Sequence, residues 1–370
     1  MTKADDQSYI AACLRLARRH RGITGTNPAV GTLLVRDGVV LGKGITAKGG
    51  RPHAEPIAIA EAERRAAEGA NGATAYVSLE PCAHHGATPP CAAALIDAGV
   101  SRVVTAWIDP DRRVDGKGHE MLRSASVRVE TGFESETAAL DLSGYLNRKI
   151  NNRPQVILKL AVSSDGKLGQ KGKEISITGD LAKRYVHRMR AEYDAILVGR
   201  GTIDSDDPLL NCRLLGLEKR SPHRFVLDTN ASLSPNSQLA QTAHKIPISL
   251  ITIKPSLGEA LVQLGVRHFA SQLHENRLAV PEILEDMASA GISSLMVEGG
   301  AETARCFLKA NSIDEIALFT GTSTLGKGAI ASPITQDQIP EDFKLVRHLK
   351  LGKDHLHLYR RKMSFEAGME

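Results

Sequence analysis

Strand-like and helix-like segments alternate along this chain in two series separated by one polar stretch, and that pattern limits the fold more than any other feature. Residues 29–44 hold two apolar runs around Asp37-Gly38, the dipeptide of a tight hairpin. Residues 53–69 are rich in Ala, Glu and Arg and end at Gly69, which predicts a helix. Residues 73–79 and 101–109 read as strands, and residues 89–99 as a short helix with Pro at its start and Gly99 at its end. This order predicts an α/β layer fold with a mostly parallel sheet. The pattern lapses over residues 145–154, a polar, basic run ending at Pro154. It then restarts with a strand and an Asp-Gly turn over 155–169 and a helix over 179–193 with Asp180 near its N-cap. Strands are expected at 194–201, 223–228, 246–253 and 293–300, a helix at 301–311 and an alternating terminal strand at 354–362. The expected organisation is a domain over 1–147, a linker over 148–153, a second domain over 154–362 and a tail over 363–370; 370 residues suit two domains. There are no internal repeats or low-complexity segments.

The first twenty residues place acids ahead of Ile10, Leu14 and Ala17. They predict an amphipathic helix capped near Asp5 or Asp6, not a cleaved leader. No apolar run approaches the ~20 residues of a membrane span. A cytoplasmic location is the default expectation, with no membrane partner. The net charge of +5 suits small phosphorylated substrates. Aromatic residues are only 4% of the chain, with Trp107 the single tryptophan, so a stacking platform for nucleic acid is not expected. Five cysteines (Cys13, Cys82, Cys91, Cys212 and Cys306) are too sparse for a disulfide framework. In a reducing compartment a close pair points to metal binding or catalysis.

Residues 81–91 read PCAHHGATPPC, and upstream stands PHAEP with His53 and Glu55. His-x-Glu followed by Pro-Cys and a second Cys is the pattern of zinc deaminases, in which the Glu is a general acid/base and not a ligand. His53, Cys82 and Cys91 would supply three ligands and leave a fourth position for water, whose pKa the metal lowers toward ~7. Both cysteines follow a proline at an expected helix start, where the helix dipole favours thiolate. A Cys82–Cys91 disulfide and a closed structural zinc using His84 or His85 are alternative readings of the same residues.

Eight residues separate Cys82 from Cys91, where nucleoside deaminases mostly have two. PCAHHGATPPC resembles the P-C-x-H-x-G-x-T-P-P-C element of the bifunctional deaminase/reductases of riboflavin biosynthesis. TNPAVGTLLV (26–35) and DPDRRVDGKG (109–118) resemble two further stretches of that family. In the second half, LKLAVSSDGKL, ITGDLAKRYVHRMRAEYDAILVGRGTIDSDDPLLNCRL and VEGGAETARCFL resemble its reductase domain in order and spacing. The resemblance implies a cytidine-deaminase-like three-layer α/β/α domain carrying one Zn2+, then a dihydrofolate-reductase-like α/β domain using NADPH. It implies hydrolytic removal of an amino group from a diamino-pyrimidinone ribosyl phosphate, then reduction of the ribosyl chain to ribityl.

By the same resemblance, Glu55 is catalytic and Asn27, His84, Asp109 and Lys117 form the deaminase substrate pocket. Arg190, Leu210, Arg213 and Glu298 fall at reductase substrate positions, the two arginines as phosphate clamps. Ala161, Ser176, Thr202, Asp206, Thr229, Gly300, Ala301, Glu302 and Thr303 fall at NADPH positions. Asp206 and Glu298 are the candidate proton donors. A homo-oligomer is the expected assembly. The chain departs from the family pattern at Ile45-Thr46, Pro56-Ile57, Glu174 and Ser176. Two rival readings are a zinc deaminase of another base or of nucleic acid with a non-catalytic second domain, and a non-enzymatic protein with structural zinc.

Overall fold

The computed structural model describes residues 2–362 except Ala87, Glu134, Lys171, Lys173, Glu174, Glu275 and Asn276. The Glu174 departure and the tail 363–370 therefore lie outside the described residues. The chain divides into two compact units, Met1–Arg153 and Pro154–Glu370.

The first unit runs α1 (Lys3–Arg18), β1 (Gly31–Arg36), β2 (Val39–Ile45), α2 (Ala54–Arg65), β3 (Thr74–Val77), α3 (Cys91–Asp97), β4 (Arg102–Thr105), α4 (Lys117–Ser124), β5 (Arg128–Glu130), α5 (Ser135–Asp141) and α6 (Ser143–Ile150). Its sheet has the order β2-β1-β3-β4-β5. It is mixed: β1 pairs antiparallel with β2 and β3, and only β3-β4 and β4-β5 are parallel. The mostly parallel expectation thus needs correction. A two-residue turn with positive φ at Asp37 (53°) and Gly38 (79°) returns the chain directly into an antiparallel neighbour.

Alternation along the strands makes two apolar faces. Leu34, Ala75, Val77 and Val103 pack with Ala58, Ala62, Leu95 and Leu122 from α2, α3 and α4. Leu33, Val35, Tyr76 and Val104 pack with Ile10, Cys13 and Leu14 from α1 and Ala138 from α5. Two glycines let α2 lie close on β2. A Cβ at Gly42 would stand 2.1 Å from Ala58 O, and one at Gly44 only 1.8 Å from Ala54 O. The cap of α1 also differs from expectation. Thr2 is the N-cap, in a capping box with Asp5. Asp6 is instead buried, gripped by the Arg102 guanidinium at 2.8 Å and by Tyr76 Oη at 2.6 Å.

The second unit runs β6 (Gln155–Val162), β7 (Lys167–Gly169), α7 (Asp180–Arg190), β8 (Ala195–Gly199), α8 (Arg200–Asp206), β9 (His223–Leu227), α9 (Gln238–Gln241), β10 (Ile248–Thr252), α10 (Glu259–Gln263), β11 (Arg267–Ala270), β12 (Leu273–His274), β13 (Arg277–Leu278), α11 (Val280–Ser289), β14 (Ser294–Val297), α12 (Ala301–Lys309), β15 (Glu315–Thr320), β16 (Ile330–Ala331), β17 (Phe343–Leu351) and β18 (Asp354–Arg361). Nine strands form its main sheet in the order β11-β10-β9-β8-β14-β6-β15-β18-β17. The pairings from β11 through β15 are parallel, and the two made by β18 are antiparallel. Ala182, Val186 and Met189 of α7 pack on one face with Ile157 and Met296. Ile283, Met287 and Phe307 of α11 and α12 cover the other with Leu158 and Val297. The neighbouring parallel strands β8, β14 and β6 end on one edge, where open α/β sheets bind ligands.

Candidate functional site

His53 is the N-cap of α2, Glu55 lies in its first turn and Cys91 is the first residue of α3. Cys82 lies in the loop after β3, not at a helix start as the sequence suggests. Its positive partner is the Cys91 backbone N–H, which donates to Cys82 Sγ at 3.3 Å. His53 Nδ1 lies 3.3 Å from Cys91 Sγ and 3.7 Å from Cys82 Sγ. All three donor atoms lie within 4.8 Å of one another. Tetrahedral zinc with bonds of ~2.3 Å to S and ~2.05 Å to N would set N and S about 3.6 Å apart. The observed pair of distances brackets that value, so the donor set fits zinc in both chemistry and spacing. Both cysteines are free thiols, and neither His84 nor His85 joins the cluster.

The electrostatics favour a thiolate at this point. The Cys91 thiol, His53 and the Cys91 N–H hold Cys82 down to about 4. The hydrogen bond to Cys82 and burial push the Cys91 thiol up. Glu55 is 3% exposed, and burial followed by the Cys82 charge raises its carboxyl above the usual range. Asn27 Nδ2 donates to Gly50 O at 2.9 Å and stands 3.4 Å from His53 Nε2.

A cavity of about 110 Å³ opens beside these groups. It is lined by His53, Glu55 and Cys82, and by the expected Asn27, His84 and Asp109. The His84 Nδ1 atom is buried without a hydrogen-bond partner among the described residues. Asp109 accepts from Tyr145 Oη at 2.9 and 3.1 Å, and burial raises its carboxyl to about 6. Lys117 is not in the lining. It is exposed and donates to Arg112 O at 2.8 Å, because as the first residue of α4 it folds back over its own loop.

Thr46, one of the departures, lines the cavity and accepts from Val30 N–H at 3.0 Å. Sequence reasoning missed Arg51, Glu80, Asp111, Arg113, Tyr145 and Lys149, which also line it. Glu80 was the most readable of these, an acid directly after an apolar strand. Its carboxylate accepts from the backbone N–H groups of Asp109, Gly116, Gly118 and His119 at 2.9–3.2 Å and so holds the 109–119 loop.

In the second unit a cavity of about 380 Å³ adjoins one of about 650 Å³, with Leu168, Ile175, Thr202, Asp206 and Gly300 common to both. The smaller holds all four expected substrate residues, Arg190, Leu210, Arg213 and Glu298, together with Ala161 and Ser176. The larger is lined by Ala301, Glu302 and Thr303 and by the glycine-bearing turns into α8 and α12. Backbone N–H groups at such turns suit a dinucleotide's phosphates, so the residues present fit NADPH. Thr229 lines neither cavity; its carbonyl accepts from Thr252 Oγ1 at 2.9 Å.

Two expected roles change here. Arg190 is not a free phosphate clamp. Its Nε and Nη2 bind Glu298 at 2.7 and 2.9 Å, and its Nη1 donates to Asn211 O at 3.1 Å. Burial would raise Glu298, but Arg190 and then Lys159 hold it down to about 2. The pairing with Arg190 and Lys159 favours the carboxylate form, which suits Glu298 to accepting hydrogen bonds better than to donating a proton. Lys159, Lys183 and His187 also line this cavity and were missed. The readable signal was Lys159, a lysine inside the otherwise apolar strand β6.

Two family descriptions match the chain: the cytidine and deoxycytidylate deaminase zinc-binding region over residues 3–107, and the RibD C-terminal domain over residues 154–357. Riboflavin biosynthesis protein RibD of Aquifex aeolicus is 36% identical, with 98% of this chain and 100% of that protein covered. RibD of Escherichia coli is 35% identical, covering 88% and 89% of the two chains. The chain belongs to the RibD family. The solved structure of Acinetobacter baumannii RibD superposes with a TM-score of 0.86 at 32% identity, over 97% of this chain and 99% of that one. A diaminohydroxyphosphoribosylaminopyrimidine deaminase/5-amino-6-(5-phosphoribosylamino)uracil reductase from Thermotoga maritima gives 0.85 at 30% identity, over 96% and 98%. RibD proteins are deaminase/reductase enzymes of riboflavin biosynthesis, and both rival readings lose their support. Among the described residues, no helix is long and apolar enough to cross a membrane.

Proposed function

We propose that the first unit removes an amino group from a diamino-pyrimidinone ribosyl phosphate by hydrolysis, and that the second reduces the ribosyl chain of the deaminated product with NADPH. The observation that carries the reading is a His53–Cys82–Cys91 donor set beside the buried Glu55, in one chain with the paired cavities of the second unit. His53, Cys82 and Cys91 are the residues to hold zinc. When bound, the metal supplies the Lewis acidity that makes water a competent nucleophile near neutral pH.

Glu55 takes a proton from the attacking water and returns it to the departing nitrogen. Its raised pKa suits both halves of that task. The C–O bond forms first, as the water oxygen adds to the ring carbon, and the C–N bond breaks after its nitrogen has received the proton, so water is consumed and ammonia leaves. Asn27 and His84 wall the ring, while Tyr145 fixes the Asp109 carboxyl that faces it. In the second unit, NADPH supplies the hydride, and Thr202, Asp206 and residues 300–303 hold the cofactor. The ionised Glu298 accepts substrate hydroxyls, and the exposed Arg213, tied only to Asn211 Oδ1 at 3.2 Å among the described residues, meets the phosphate. The family's biosynthetic role supports a cytoplasmic location, and we infer a homo-oligomeric assembly.

Replacing Glu55 with Gln tests the proton relay. Deaminase turnover should fall at least ~100-fold while zinc content measured by atomic emission stays at one per chain. Full turnover with zinc retained would remove Glu55 from the mechanism.

A further inference from the structure

We propose that Arg51 is the group that receives the substrate's phosphate in the deaminase cavity, an inference that rests on the deaminase reading above. The substrate class carries a phosphate monoester, and a guanidinium suits such a dianion because it can hold two of its oxygens by paired charge-assisted hydrogen bonds. Among the described residues, the lining offers three Lys or Arg side chains: Arg51, Arg113 and Lys149. Two of them are already committed. Arg113 Nη2 and Lys149 Nζ both bind the Asp111 carboxylate, at 2.7 and 2.8 Å, and Asp111 is held well below the usual carboxylate range by that pair. Recruiting either cation would leave Asp111, a buried acid, with one of its two charged partners.

Arg51 has no carboxylate partner among the described residues. Its Nη1 donates to a neutral hydroxyl, Thr88 Oγ1, at 2.9 Å. That bond lays the guanidinium across the loop between the two cysteines. A Cβ on Gly86 would come within 3.0 Å of Arg51 Nη2, so the glycine leaves the surface on which the guanidinium rests. The side chain is exposed while lining the cavity, so it stands at the mouth and not at the metal end. A ring seated against His53 and Glu55 would carry its ribosyl phosphate outward to this point. The remaining guanidinium N–H groups suit bidentate binding of phosphate oxygens.

The experiment compares full-length wild type with Arg51→Ala, Arg51→Lys and Arg51→Gln, each assayed on the phosphorylated diamino substrate and on its dephosphorylated form. For Arg51→Ala, KM on the phosphorylated substrate should rise about 10- to 100-fold with kcat nearly unchanged. KM on the dephosphorylated form should match wild type, and Arg51→Lys should recover part of the loss. Inorganic phosphate should inhibit wild type competitively and Arg51→Ala less. Zinc content and NADPH-dependent reduction of the deaminated phosphate serve as folding controls; should Arg51→Ala lose zinc, Arg51→Gln takes its place. Equal losses on both substrates, or none on either, would overturn the assignment. Wild type deaminating neither form would overturn the deaminase reading instead.

Discussion

Glu298 places a charge where burial alone would forbid it. Its side chain is buried, and its ionised state persists because Arg190 and Lys159 face it. Its folded pKa of about 2 lies below its ordinary 4.5, so the stabilisation is complete above pH 4.5 and disappears as pH falls through 2. Glu298→Gln should therefore lower the stability at pH 7 on the order of 3 kcal/mol, because it strands the buried Arg190 charge. It should also flatten the acid limb of Tm against pH, measured by differential scanning calorimetry. An unchanged acid limb would show that the pair does not set acid stability.

This pair also marks where sequence reading stops at the residue scale. His53, Glu55, Cys82 and Cys91 were legible because short fixed spacings around prolines and helix starts carry the chemistry. Arg190 and Glu298 are 108 positions apart, and nothing local says that each is the other's partner. Tyr145 and Lys149 reach the deaminase cavity from α6, a helix with no pattern that points to a site.

At the scale of elements, the contact between β2 and α2 sets the metal site, because His53 and Glu55 ride on the first turn of that helix. Gly44 lets the turn sit against the strand. Gly44→Ala would press a methyl onto Ala54 O, next in sequence to His53. Such overpacking costs ~1–3 kcal/mol or forces the helix away. The variant should lose zinc affinity and deaminase turnover together while keeping NADPH-dependent reduction. Retention of full zinc would mean that the helix start is held by other contacts. Most strands of the two main sheets and the helices α1, α2, α3, α7 and α12 were legible from period and turn residues, whereas the ten-residue α11 was not read. The Asp-Gly hairpin already implied that β1 and β2 run antiparallel; what no local signal showed is that β1, and not β2, stands beside β3, which makes that pairing antiparallel as well. The strands β15 and β17 went unread, one a short apolar run without helix-or-strand signature and the other strongly charged.

For the whole molecule, the account places two chemically independent sites on one chain, one requiring metal and the other NADPH. That independence gives the most direct test. The purified protein is fed the diamino-pyrimidinone ribosyl phosphate with and without NADPH, before and after treatment with a zinc chelator, and products are identified by mass spectrometry. Without NADPH, one amino group should be replaced by oxygen. With NADPH, the product should gain two further hydrogens. After chelation, the diamino substrate should return unchanged, while supplied deaminated phosphate is still reduced. Deamination that survives loss of zinc, or a deaminated product that NADPH leaves unreduced, would contradict the account.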